Sequence, residues 1–161
     1  MSGDGNRRVQ DWAQAGDPFR LVAVEVEGMD WGSELSPSTR ERMARFSDAT
    51  VRARAGASEW LKECWLPREL GLERVEFERG VNGKPLLTGA AAGWGFNLSH
   101  AGEYVVAVLA KGVSVGVDLE STTRKADVER LGRRVFSESE RFWVEAGGRE
   151  AFFTLWSQKE A

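Results

Sequence analysis

The spacing of apolar and polar residues predicts most elements of the chain. Phe19 to Val26 carries Leu and Val on both faces and predicts a buried strand that opens the fold. A loop with Gly28, Gly32 and Pro37 follows, where Ser36-Pro37 predicts an N-cap with Pro at the first helical position. Met43 and Phe46 give that helix a short apolar face. Asp48 predicts a second cap, after which Val51, Ala55, Leu61 and Trp65 recur at near-helical spacing as far as Pro67. Val75 and Phe77 alternate with charged residues, as in a half-exposed strand, and Gly80-Val81-Asn82-Gly83 is a turn. Phe96 to Ser99 predicts a short extended piece. Tyr104 to Ala110 and Val113 to Leu119 are two β-rich runs joined by Lys111-Gly112, and they predict an antiparallel hairpin. A helix follows, with Val128, Leu131, Val135 and Phe136 on one side. Ser137 to Glu140 matches a capping box, opening a helix that Gly147-Gly148 interrupts. From Glu150 a last helix places Phe153, Trp156 and Glu160 on one face. The sum is an α+β fold, an antiparallel sheet covered by helices.

Composition narrows the function classes. In a chain of 161 residues, 42% hydrophobic content is enough to bury a core. With 22 basic and 25 acidic residues the net charge is −3, which argues against a global grip on nucleic acid and makes any anion site local. Cys64 is the only cysteine, so an intramolecular disulfide and a cysteine-built zinc site are excluded. No stretch approaches membrane-spanning length, and the cytoplasm is the expected location. Residues 1–17 are polar and Gly-bearing, which predicts a mobile tail with Trp12 as its one docking candidate, ahead of a domain over 18–161.

The candidate chemistry begins at Val115-Gly116-Val117-Asp118-Leu119-Glu120. Side chains alternate along a strand, so Asp118 and Glu120 are expected to point the same way with Cα atoms roughly 6–7 Å apart. That spacing suits one hard cation, and it equally suits a strand end turning into solvent. His100, the only histidine, follows Asn97-Leu98-Ser99 at an expected strand end. Its ring offers a phosphate either a charge or a hydrogen bond, or serves only as a capped side chain. Lys84 sits in a conformation-fixing frame between Gly83 and Pro85, as an aimed ammonium or a solvated turn residue.

Gly83-Lys84-Pro85, Phe96-Asn97-Leu98-Ser99-His100, Gly116-Val117-Asp118-Leu119-Glu120 and Trp156-Ser157-Gln158-Lys159-Glu160-Ala161 stand in one order along the chain. In that order they resemble the motifs of 4′-phosphopantetheinyl transferases of the surfactin-synthetase-activating type, from about Phe19 to the end of the sequence. The resemblance implies the first lobe of a pseudo-dimeric transferase fold plus the start of a second, incomplete lobe. It implies a Mg²⁺ held by Asp118, Glu120 and Glu160, with Glu160 and Lys159 as catalytic residues. It places Arg54, Lys84, Ser99 and His100 on the coenzyme A side, coenzyme A being the co-substrate and an acyl- or peptidyl-carrier protein the acceptor. Upstream, Arg40 and Arg42 match the family's basic residues, whereas Thr39 stands where a lysine is common. Neither nucleic acid nor membrane is an expected partner. Two other readings stand beside the transferase. One is a non-catalytic half that binds coenzyme A or a carrier protein without turnover. The other is a different Mg²⁺-dependent phosphotransfer enzyme, which leaves the Lys84 and His100 motifs unexplained.

Overall fold

The computed structural model describes residues 9–14, 16–27, 30–80 and 83–161. Its centre is a four-stranded antiparallel sheet in the order β1-β2-β6-β5. The strands are β1 (Val9–Asp11), β2 (Phe19–Glu25), β5 (Trp94–Ala101) and β6 (Tyr104–Lys111). Between them run β3 (Glu76–Arg79) and β4 (Pro85–Thr88), a separate antiparallel hairpin in which Phe77 pairs with Leu87. Of the turn expected at Gly80-Val81-Asn82-Gly83, Val81 and Asn82 lie outside the described residues. β6 is buried from Val105 to Ala110 because β2 and β5 flank both its edges and both its faces are covered. That double burial is why its sequence reads as an unbroken apolar run.

Two sequence expectations change in the first half of the chain. Of the tail expected over residues 1–17, residues 1–8 and Ala15 lie outside the described residues, while Val9–Asp11 forms β1, which pairs with β2 in the register Val9 to Val24. The Trp12 N–H then donates to the Leu21 carbonyl at 2.9 Å, while the Trp12 side chain stays exposed. The helical layer comprises α1 (Pro37–Ala44), α2 (Ala49–Trp60), a π turn (Leu61–Trp65) and α3 (Leu66–Leu70). Ser36 and Asp48 cap α1 and α2 as expected. Pro67 does not stop the helix. It falls in the first turn of α3, directly after the wider π turn, where a missing N–H costs least. The stop comes at Gly71, whose φ of 64° provides the left-handed cap.

This layer covers one face of the sheet. Val22, Val24, Phe96, Val105, Ala107 and Leu109 meet Trp60, Leu61, Trp65 and Leu66 in the main core. Val51, counted on the apolar face of α2, is exposed, and the face that packs is Ala57, Trp60 and Leu61. Glu63 locks α1 to the π turn by accepting from the Ser36 N–H at 2.9 Å and the Thr39 hydroxyl at 2.5 Å. Burial pushes the Glu63 carboxyl up, but these bonds, the Ser36 hydroxyl and the Arg42 charge outweigh it and hold it below its ordinary 4.5. A carboxylate depressed by folding adds stability above its unfolded value and loses it as pH falls through the folded value. Glu63→Gln should therefore flatten the loss of stability below pH 4.5. Urea unfolding of both proteins between pH 7 and the acid limb checks this, and equal acid losses would contradict it.

A second, smaller core forms around α4 (Val128–Val135) and α5 (Glu138–Glu160). Phe136, Phe152 and Phe153 are buried in it, and Trp156 stacks on Phe152 with centroids 5.8 Å apart. The expected capping box is present, with the Ser137 N–H donating to Glu140 at 2.7 Å. Gly148, at φ 67° and ψ −150°, kinks α5 where the Gly-Gly pair predicted a break. No helix among the described residues is long and apolar enough to cross a membrane.

Candidate functional site

The site begins with a strand that does not form. Residues 113–119 were expected to pair with β6, but both edges of β6 are already taken by β2 and β5. The hairpin partner of β6 is β5, in the register Ala101 to Tyr104. After β6, the Gly112 N–H donates to the Gly93 carbonyl at 2.8 Å, and the chain turns back across β5. It crosses on the side of Gly95, Asn97 and Ser99, opposite the face that Phe96 sends into the main core. At Gly95 the Val113 carbonyl occupies the space a Cβ would need, so glycine permits the crossing.

Side chains, rather than a backbone ladder, hold this segment. The Asn97 Oδ1 accepts from the Val117 N–H at 2.9 Å, and the Ser99 Oγ accepts from the Leu119 N–H at 3.2 Å. Lys84 Nζ donates to the Val115 carbonyl at 2.6 Å. The Ser99 hydroxyl in turn donates to Asp118 Oδ1 at 2.9 Å. Asp118 Oδ2 is buried with no hydrogen-bond partner among the described residues. A buried carboxylate oxygen left bare is costly unless a cation or donor meets it. Beside Lys84 opens a cleft of about 310 Å³ lined also by Trp94, Gly95, Val113 and Val115.

The other two expected acids have different surroundings from Asp118. Glu120 gives both oxygens to Arg124, at 2.7 and 3.0 Å. Glu160 is exposed in the last turn of α5. That helix returns to the segment, because the Ala161 carbonyl occupies the space a Cβ on Gly116 would need. Among the described residues, the carboxylate oxygens of Asp118, Glu120 and Glu160 do not gather within 4.8 Å; those of Glu25, Glu27 and Glu103 do. Lys159 pairs with Glu140 at 3.0 Å and lies over the Phe136 ring. The Ser137 N–H and then Lys159 hold the Glu140 carboxyl below its ordinary value.

The expected coenzyme A residues fall into two groups. Lys84 and Ser99 contact the acidic segment. Arg54 and His100 adjoin the β5–β6 turn, where Arg54 Nε donates to the Gly102 carbonyl at 2.7 Å and His100 is exposed. A separate cleft of about 530 Å³ is lined by Arg40, Arg52, Trp31 and Met43. Arg42 is drawn away to Glu59 at 2.9 Å. Thr39 is 3% exposed and bonded to Glu63, so a lysine's charge would be buried at that position. Sequence reading passed over Asn97 and Arg124. Asn97 was visible as a polar residue two positions before Ser99, on the same strand face.

The family model described as the 4′-phosphopantetheinyl transferase superfamily matches residues 114–161. The chain is 34% identical over 106 residues to the 4′-phosphopantetheinyl transferase AcpT of Salmonella typhimurium, covering 60% of this chain and 55% of that protein. It is 30% identical over 149 residues to the 4′-phosphopantetheinyl transferase HetI of a Nostoc species, covering 88% of this chain and 63% of that protein. With the 4′-phosphopantetheinyl transferase psf-1 of Bacillus pumilus it shares 38% identity over 96 residues, 57% of this chain and 40% of that protein. The chain thus spans between two fifths and two thirds of these relatives. Family model and relatives together support similarity to this superfamily.

Proposed function

We propose that this chain is a Mg²⁺-dependent member of the 4′-phosphopantetheinyl transferase superfamily, moving 4′-phosphopantetheine from coenzyme A to a serine of an acyl- or peptidyl-carrier protein and releasing 3′,5′-ADP. The observation that carries the proposal is Asp118: it lies inside the family match, and its Oδ2 is buried and unpartnered. An all-oxygen donor set with one bare buried oxygen fits a hard cation. Asp118, Glu120 and Glu160 would hold Mg²⁺, which when bound supplies charge neutralisation to the diphosphate. Glu120 joins the set only when its pair with the exposed Arg124 opens, a modest requirement for an ion pair with a solvated partner. In this reading the sheet with its helices is the first lobe of a pseudo-dimeric fold, and α4 with α5 begins the second. The cytoplasm, where coenzyme A and carrier proteins meet, is the proposed location.

The chain's own residues divide the work. Lys84 has two further N–H donors beyond its bond to Val115 and directs them at phosphate oxygens. Arg54 and His100 provide donors at the β5–β6 turn for the nucleotide end of coenzyme A. The carrier serine Oγ attacks the β-phosphorus, the bond to the 3′,5′-ADP oxygen breaks, and Glu160 takes the serine proton. Lys159, released from Glu140, balances charge on the diphosphate.

The separation of the carboxylates and the exposure of Glu160 favour one alternative, a chain that binds coenzyme A or carrier protein without turnover. Incubation with coenzyme A, Mg²⁺ and an apo carrier protein, read by mass spectrometry, separates the two. A phosphopantetheine adduct on the carrier that disappears in excess chelator is expected. Adduct formation unaffected by chelator would overturn the metal assignment, and coenzyme A binding without adduct would establish the alternative.

A further inference from the structure

We infer that Ser99 is a positioning residue for the Asp118 carboxylate, and that its hydroxyl is not a contact to coenzyme A phosphate. The inference rests on the proposed metal site at Asp118 and on nothing else in the transferase reading. A serine hydroxyl has one proton to donate. Here that proton goes to Asp118 Oδ1 at 2.9 Å, while the oxygen accepts the Leu119 N–H at 3.2 Å. Phosphate oxygens are acceptors, so the group they need from Ser99 is already committed to the carboxylate.

The same two bonds fix where Asp118 points. Leu119 is the next residue, so Ser99 grips the backbone on one side of Asp118 and the carboxylate itself. Asn97, two residues earlier on the same face of β5, holds the Val117 N–H on the other side. The period of two along β5 thus meets alternate N–H groups of the crossing segment, and Asp118 lies between the two anchors. With Oδ1 occupied, rotation of the carboxylate is restrained and Oδ2 stays in its buried, unpartnered position. A ligating carboxylate held by a hydrogen bond to its other oxygen is a common way of orienting a metal ligand.

The test titrates the full-length protein with Mn²⁺ alone, as a spectroscopic stand-in for Mg²⁺, and follows free ion by electron paramagnetic resonance. Wild type should bind Mn²⁺, Asp118→Asn should lose it, and Ser99→Ala should weaken it by roughly ten- to a hundredfold. Ser99→Thr, which keeps the hydroxyl, should restore affinity to within a few fold and guards against a merely structural effect of the alanine. Coenzyme A affinity of wild type and Ser99→Ala, measured in chelator, should agree. Unchanged Mn²⁺ affinity in Ser99→Ala, failure of threonine to restore it, or absence of Mn²⁺ binding by wild type would each overturn the inference. So would weaker coenzyme A binding by Ser99→Ala with Mn²⁺ affinity intact. A wild-type protein that binds Mn²⁺ through Asp118 yet leaves apo carrier protein unmodified would sink the transferase reading and leave the role of Ser99 standing.

Discussion

Replacing Asp118 with alanine should lower the rate of carrier modification by roughly a thousandfold or more while the protein remains folded. The rate loss follows from the position of the group: Asp118 is the one expected ligand whose free oxygen is already buried and bare. Removing it deletes the anchor of the proposed cation, and Asp118, Glu120 and Glu160 do not form a ready cluster from which the remaining two acids could hold it. The fold should survive because the segment is held by Asn97, Lys84 and the Ser99–Leu119 bond, none of which uses the Asp118 side chain. In metal-free buffer the variant should melt at or above the wild-type temperature, since an unsatisfied buried oxygen has gone. Adding Mg²⁺ should raise the melting temperature of wild type alone, because a ligand stabilises only the state that binds it. Thermal melts with and without Mg²⁺, together with adduct formation over time, check both halves. A variant rate within tenfold of wild type would remove Asp118 from the centre of the site.

The largest stability effect is expected at Phe152, where alanine should cost about 3–5 kcal/mol. Phe152 is 1% exposed, and its ring centroid lies 5.3 Å from those of Phe136 and Phe153 and 5.8 Å from that of Trp156. Phe152 sits at the centre of the second core, whose remaining members, Ala126, Val128, Leu131, Val144 and Leu155, are only partly buried. The loss would be a large share of the roughly 5–15 kcal/mol that keeps an ordinary domain folded. Activity should fall with stability, because the same helix carries Lys159 and Glu160. Phe142→Ala on the same helix is the control: that ring is 76% exposed, and its loss should change stability by no more than about 0.5 kcal/mol. Urea unfolding midpoints separate the two variants, and a small effect at Phe152 would mean that the second core does not hold α5.

Local chemistry and long-range contacts part at a few identifiable residues. Caps were legible because their chemistry is complete within four residues: Ser36 with Pro37, Asp48 with Val51, and Ser137 with Glu140 all formed as read. The kink at Gly148 was legible for the same reason. Pro67 misled because its effect depends on the π turn before it, which no periodicity signals. Val9–Asp11 looked like tail because a strand this short becomes visible only once β2 offers its edge.

For the candidate site, the sequence by itself determined the residue types and the α+β class that carries them: carboxylates at Asp118, Glu120 and Glu160, proposed for a cation, and nitrogen donors at Lys84, Arg54 and His100, proposed for an anion. Tertiary structure alone decided which of these meet. The run from Val113 to Leu119 has the composition of a strand, but strand composition does not name a partner. Once β2 and β5 had taken both edges of β6, the segment was left to cross the face of β5, over Gly95 and onto the side chains of Asn97 and Ser99. Asp118 was thereby turned inward against Ser99, while Glu120 was left to Arg124. Hydrogen-bonding edges are a finite resource shared across the whole sheet, so which segment obtains one is settled by residues far away in the chain.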